Sequence, residues 1–273
     1  MEKSDVHETV SRDYARMLRE AEARPSCCAP ATGPGTISTL AGYEPEAHQE
    51  EAASQSFGCG NPLAFAGVEA GQTVLDLGSG AGLDLMLAAE KVGSSGRVIG
   101  VDMTQEMIDK AEANIQRAGL GNVELRLGMI EQLPVEDASV DWVISNCVIN
   151  LSPDKPGVFA EIARVLKPGG HFSISDIVVQ DLPDFLRDNA ALYSACVAGA
   201  ISEPEYLQGL LEAGLEASVS ERLVYDQSQL VGLITCEIPG LQLDEALIAE
   251  VAPAVVGKVW SAKFTGTRGG SAT

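Results

Sequence analysis

Six cysteines, at positions 27, 28, 59, 147, 196 and 236, carry most of the reactive chemistry in this 273-residue sequence. Thiolates are soft ligands and strong nucleophiles. Cys59 lies in "SFGCGNP", flanked by glycines and followed by Pro62, which puts it on a turn. Cys147 lies in "SNCVINLSPDK", directly after Val140 to Ile144, five residues that read as a buried strand. Cys196 lies in "LYSACVAGA". No C-x2-C pair occurs, so a preformed structural zinc site is not expected. The wide separation of the three thiols calls instead for a site assembled by tertiary structure. A cluster of soft thiolates points to a thiophilic ligand. The three histidines, His7, His48 and His171, have no matching acid-base partners in sequence and read as structural or solvent-exposed.

A second constellation is "VLDLGSGAGLD", in which Gly78, Gly80 and Gly82 follow a strand and precede a helix. Such a turn brings backbone close to a ligand beside a helix amino terminus. The spacing is G-x-G-x-G rather than the G-x-G-x-x-G of dinucleotide binders, which argues against hydride transfer with NAD, as does the lack of a recognisable dehydrogenase acid-base pair. Asp76 lies inside the strand and Ser79 inside the turn. The next strand ends in Asp102, about twenty residues on, where an acidic side chain can accept both hydrogens of a ribose diol. Met103 can cover one face of an adenine ring. Ile130 and Glu131, in "GMIEQLP", can serve the other face and the exocyclic amine. Asn146, the residue before Cys147, joins this group.

These residues need a frame. "TVLDLG", "RVIGVD", "NVELRLG", "VDWVIS" and "HFSISDIVV" read as five strands. Between them lie the helices "LDLMLAAEKVG", "QEMIDKAEANIQRAG" with Thr104 as its cap, and "DKPGVFAEIARVLKPGG" with a Gly-Gly stop. Strands alternating with helices imply β-α-β units and a parallel sheet covered on both faces. Further helices are expected over 5–22, 45–54, 182–200 and 203–213, a strand around 217–224, and a last strand within "PAVVGKVWSAKFTG". The expected fold is α/β, Rossmann-like, with a mostly parallel seven-stranded sheet. Its parts are an N-terminal helix and Cys-bearing loop (1–60), a nucleotide-binding core (61–180), a mixed C-terminal region completing the sheet (181–265) and a disordered tail (266–273). In open α/β sheets ligands bind beyond the carboxyl ends of the strands. Cys147 falls on that edge, although a buried packing thiol explains one cysteine there equally well.

Composition narrows the partners. Thirty-nine acidic residues against 18 basic ones give a formal charge of −21, which repels nucleic acid and anionic lipid. No apolar run reaches the roughly 20 residues needed to span a bilayer, and the first residues have no signal-peptide character. A cytoplasmic monomer is expected, with cysteines free, ligating or catalytic rather than in a structural disulfide set.

The glycine turn, Asp102 and the acidic loop after the third strand together resemble the class I S-adenosylmethionine-dependent methyltransferases, over about Gly71 to Val179. The resemblance implies that Asp76 faces the methionine end of that cofactor. "SFGCGNP", "SNCVINLSPDK", "ACVAGA", "GVDMT" and the early "SCC" further resemble the arsenite methyltransferases, from about Tyr14 to Val224. That resemblance implies trivalent arsenic held by Cys147 and Cys196. Cys59 joins the binding or the redox step, and one of Cys27 and Cys28 is a further candidate. It also implies a thiol reductant, thioredoxin or glutathione, to reset the enzyme. Cys236 matches no motif and reads as a packing thiol. Two other functions stay open on sequence grounds: methylation of a carbon or oxygen substrate such as a quinone precursor, and thiol-based sequestration of arsenic or a heavy metal without catalysis.

Overall fold

Seven strands form one sheet in the order β3-β2-β1-β4-β5-β7-β6. The computed structural model describes residues 3–23, 61, 67–181, 197, 199–225 and 255–270. The parallel strands are β1 (Thr73–Leu77), β2 (Arg97–Asp102), β3 (Val123–Leu127), β4 (Val140–Asn146) and β5 (Leu166–Val179). β7 (Val259–Arg268) runs antiparallel to both β5 and β6 (Leu215–Val224). The described helices are α1 (Lys3–Ala23), α2 (Leu83–Val92), α3 (Gln105–Ala118), α4 (Lys155–Val165) and α5 (Glu203–Glu212), with a 3-10 turn at Ile149–Leu151. The mostly parallel, seven-stranded α/β fold read from the sequence is present, and no helix among the described residues is long and apolar enough to cross a membrane.

Alternation along the strands feeds two cores. Val74, Val98, Trp142 and Ile144 pack on one face with Leu85 and Met86 of α2 and Ala111 and Ile115 of α3. Leu75, Leu77, Ile99, Val101 and Val143 pack on the other face with Phe159 and Ile162 of α4 and Tyr206 and Leu210 of α5. Strands buried on both sides must be apolar throughout, which is why β1, β2 and β4 read as near-continuous hydrophobic runs.

Three local readings are corrected. α4 stops at Val165 and β5 begins at Leu166, so the Gly-Gly pair lies within the strand instead of ending the helix. Lys167 precedes Pro168, and a residue before proline avoids helical backbone. The last strand runs on to Arg268, so residues 266–268, expected in a loose tail, are paired with β5 and β6. Thr104 occupies the cap position of α3, but its side chain makes no capping bond. Its hydroxyl instead donates to Ser11 Oγ on α1 at 3.1 Å. The helices expected at 45–54 and over most of 182–200 lie outside the described residues.

Candidate active site

At the end of β1 the chain turns through Gly78, Gly80 and Gly82 with φ of 65°, 50° and 92°. Glycine enters this left-handed region at little cost. Gly78 also needs its missing side chain, because a Cβ there would come within 2.4 Å of Val148. The Gly78 and Ser79 N–H groups both donate to the Val101 carbonyl, at 2.8 and 3.1 Å, so the turn is tied to β2. Gly82 is the cap residue of α2 and sits against Ala111 of α3; it shapes the turn without lining the cleft.

Asp102 ends β2 at the other side of the turn. Its Oδ2 accepts from Gly80 N and its Oδ1 from Thr104 N, each at 2.9 Å. A carboxylate has about four acceptor positions, so both oxygens keep capacity for a ligand's hydroxyls. Burial raises the Asp102 carboxyl pKa, opposed by the Thr104 and Gly80 backbone donors. Asp76 is pushed well above the ordinary range by burial, then by the charges of Asp84 and Asp102. Three carboxyl groups crowded into one cleft favour a cationic ligand, which would relieve both burial and mutual repulsion. Ser79 Oγ is buried and has no hydrogen-bond partner among the described residues.

The cleft, open to solvent, brings together Asp76, Gly78, Ser79, Gly80, Asp102 and Met103 from the first half of the sheet. Ile130, Glu131, Asn146 and Cys147 line the same space. Among the further wall residues that sequence reasoning missed are Asp84, His7, Val10 and Tyr14. Asp84, in the first turn of α2, receives a 3.4 Å hydrogen bond from Asn146 Nδ2. His7, Val10 and Tyr14 come from α1. Their spacing marks one helical face, but nothing in the sequence says what that face covers. His7 is therefore corrected from a partnerless histidine to a cleft residue: its Nε2 lies 2.9 Å from Glu131 Oε1. The same Oε1 accepts from the Ser152 hydroxyl. Exposed His171 stacks on Trp142 at 4.8 Å, away from the site.

Cys147 follows β4 directly and has φ of 57°, an uncommon value for a residue with a side chain. Its N–H donates to the Ser175 carbonyl of β5 at 2.8 Å, and the residue is only 4% exposed. Cys147 is disulfide-bonded, in contrast to the free thiol expected from the sequence. Cys27, Cys28, Cys59, Cys196 and Cys236 lie outside the described residues. The remainder of "NLSPDK" builds the loop beyond the thiol. Ser152 Oγ accepts from Asp154 N at 3.0 Å, and Asp154 Oδ1 caps α4 by accepting from Gly157 N at 3.2 Å. Lys155 Nζ donates to the carbonyls of Asn150 and Ser152, at 3.3 and 3.1 Å.

A sheet of this order, with a glycine turn after β1 and an acidic end to β2, defines the class. The profile described as "Methyltransferase domain" matches residues 68–219, and the chain belongs to that family. Within it, the chain is 49% identical over 194 residues to the arsenite methyltransferase of Halobacterium salinarum, covering 70% of this chain and 49% of that protein. It is 40% identical over 206 residues to the arsenite methyltransferase of Aquipseudomonas alcaligenes, covering 72% and 58%. The chain thus spans about half the length of the curated relatives it matches. Among solved structures, an arsenic(III) S-adenosylmethionine methyltransferase from Chlamydomonas reinhardtii is similar, with 34% identity and a TM-score of 0.59 over 88% of this chain and 74% of that one.

Proposed function

We propose that this chain methylates thiol-bound trivalent arsenic, with S-adenosylmethionine as methyl donor. The observation that carries the reading is a juxtaposition. Cys147 lines the same cleft as the glycine turn and Asp102, and the chain is similar to proteins named as arsenite methyltransferases.

The residues present fit the donor. Asp102 keeps acceptor capacity for the ribose hydroxyls, and Met103 and Ile130 offer apolar surface to the adenine. Glu131 Oε2 remains for its exocyclic amine. Asp76, Asp84 and the unpartnered Ser79 hydroxyl suit the charged methionine end. When bound, S-adenosylmethionine supplies a methyl group on a positively charged sulfur, and the carbon–sulfur bonding pair returns to that sulfur as the methyl moves to the arsenic lone pair. Cys147 and Cys196 hold the arsenic, assisted by Cys59, with one of Cys27 and Cys28 as a further ligand. No general base is needed, because the nucleophile carries no proton. The protein's task is to hold and aim two groups, and alignment of that kind can contribute up to about 7–11 kcal/mol.

After transfer, two thiolates leave arsenic as a disulfide and return two electrons to it. A dithiol or thiol reductant such as thioredoxin or glutathione then restores the pair. The disulfide at Cys147 is consistent with this cycle, since a thiol placed to share a ligand with another can also pair with it on oxidation.

The test is speciation of methylated arsenic over time, using the reduced chain, arsenite, a thiol reductant and labelled S-adenosylmethionine. Labelled methylarsenicals are expected from the parent chain and none from Cys147→Ser or Cys196→Ser. Absence of product from the parent, with the donor bound, would overturn the reading. Retained turnover in either variant would remove that cysteine from the site.

A further inference from the structure

Asp176, in the middle of β5, is fully buried yet lies outside the cleft wall. Its carboxylate receives four donors. Asn150 N donates to Oδ2 at 3.2 Å and Asn150 Nδ2 to Oδ1 at 2.8 Å. Ile177 N donates to Oδ1 at 3.0 Å and the Tyr206 hydroxyl to Oδ2 at 3.2 Å. The second Asn150 Nδ2 hydrogen goes to the Ile177 carbonyl at 2.6 Å, so the amide spends both donors on adjacent residues of β5. Tyr206 is itself held, stacked on Phe264 at 4.1 Å and tilted against Phe159 at 5.1 Å.

This network closes a short span of chain. Cys147 is fastened to β5 through Ser175, and Asn150 is fastened to it through Asp176 and Ile177. The turn from Cys147 to Asn150 is therefore pinned at both ends to consecutive residues of one strand. Cys147 within it holds left-handed backbone, which is unfavourable in a residue with a side chain. Such a conformation persists only when its surroundings over-determine it.

We propose that Asn150 and Asp176 are positioning residues for the Cys147 thiol, holding the turn that presents it to the cleft. The proposal rests on the reading of Cys147 as an arsenic ligand. Neither residue touches substrate or donor; both act through the backbone of the turn. The Lys155 ammonium, bound to the Asn150 and Ser152 carbonyls, closes the far side of the same turn and is the charged group that bears on Asp176. Burial pushes the Asp176 carboxyl up to about 7, with Lys155, the Ile177 and Asn150 backbone and Tyr206 pulling the other way. A buried carboxylate is a costly way to fill a core, and four fixed donors give it one orientation.

The test takes the reduced full chain with Asn150→Ala, Asp176→Asn and Tyr206→Phe. Alkylation of Cys147 by iodoacetamide, followed peptide by peptide by mass spectrometry, reads how the thiol is held. Steady-state kinetics with arsenite read how it is used. Asn150→Ala and Asp176→Asn are each expected to speed Cys147 alkylation about threefold or more, as local opening becomes easier. They should raise the arsenite KM about tenfold or more, while the S-adenosylmethionine Kd stays within about twofold. Tyr206→Phe, which removes one donor of the four, should move both readouts less, in the same direction. A folded Asn150→Ala protein with unchanged alkylation and unchanged arsenite KM would overturn the proposal. A parallel loss of donor affinity and thermal stability that accounts for the whole defect would overturn it too. If Asn150→Ala does not fold, Tyr206→Phe decides by the same two readouts. If the parent makes no methylated arsenic, the function above fails, and alkylation alone still decides whether these residues hold the thiol.

Discussion

The two walls of the cleft are made in different ways. The wall at β1 and β2 is largely backbone: a glycine turn, its N–H groups on the Val101 carbonyl, and one aspartate held by two amides. The wall at β4 is held by side chains drawn from several elements: Asn150 in the 3-10 turn, Asp176 on β5, Tyr206 on α5 and Lys155 on α4. A backbone wall depends on few side chains, so it can be shared by a whole family with different substrates. A side-chain wall can be changed residue by residue, which makes it the natural place for substrate choice.

Substitutions can break that division or sharpen it. The largest effect is expected at Cys147→Ser, which should abolish arsenite methylation while leaving S-adenosylmethionine affinity, measured by calorimetry, unchanged. A weaker donor affinity in this variant would mean that the walls are not separable. Asp102→Ala should do the reverse. Losing charge-assisted hydrogen bonds worth about 1.5–3 kcal/mol each should raise the donor Kd at least about tenfold, with Cys147 alkylation unaltered. Gly78→Ala strikes a place where the walls touch, since its Cβ would meet Val148, the neighbour of Cys147, at positive φ. Urea denaturation should show a loss of about 1–3 kcal/mol. Adding Val148→Ala should recover the part due to the Val148 methyls, while the Val148 Cβ, 2.8 Å away, still clashes; a double variant no more stable than the single would exonerate those methyls.

A smaller effect concerns pH. The Asp176 carboxyl rises from 3.8 to about 7 on folding, so between those values the folded chain binds more protons than the unfolded one. Asp176 therefore contributes a stability that is full at low pH and lost as pH rises through that window. Comparing parent with Asp176→Asn by denaturation from pH 4.5 to 7.5, the parent's advantage should shrink with rising pH. An advantage that stays constant would show that the carboxyl does not titrate there. Last comes the surface pair Arg222–Glu203, at 2.6 Å on the far side of the sheet from α2 and α3. Arg222→Ala should leave both the denaturation midpoint and the donor Kd unchanged.

The difference between the walls also governs how far each can be read from sequence. The glycine turn, Asp102 and the strands around them are local patterns, and their periodicity and spacing carry over directly into β1, β2 and α2. Cys147 could be located for the same reason, as the residue after a recognisable strand. Its supports could not. Asn150 lies in the quoted motif, but its partner Asp176 reaches it only because β5 pairs with β4, and Tyr206 reaches Asp176 only because α5 is held against β6 and α4, which no spacing encodes. α1 poses the same difficulty: residues 7, 10 and 14 declare a face but not the cleft it covers. Corrections such as the early end of α4 were legible in principle, since Lys167-Pro168 marks the break more strongly than the glycines after it.

One feature of the sheet bears on how the chain is made. β7, the last described strand, is inserted between β5 and β6, so β6 joins the sheet only through it. During synthesis none of the described strands made before β7 pairs with β6 or covers the outer edge of β5, and β7 follows on the order of seconds later. Over that interval two strand edges are available to other chains. The charged residues spaced along β6, Glu216, Glu221 and Arg222, are the kind that discourage such pairing. Among the described strands the sheet is thus completed from its end inward, and the last of them is a wedge that both shields β5 and recruits a strand made before it.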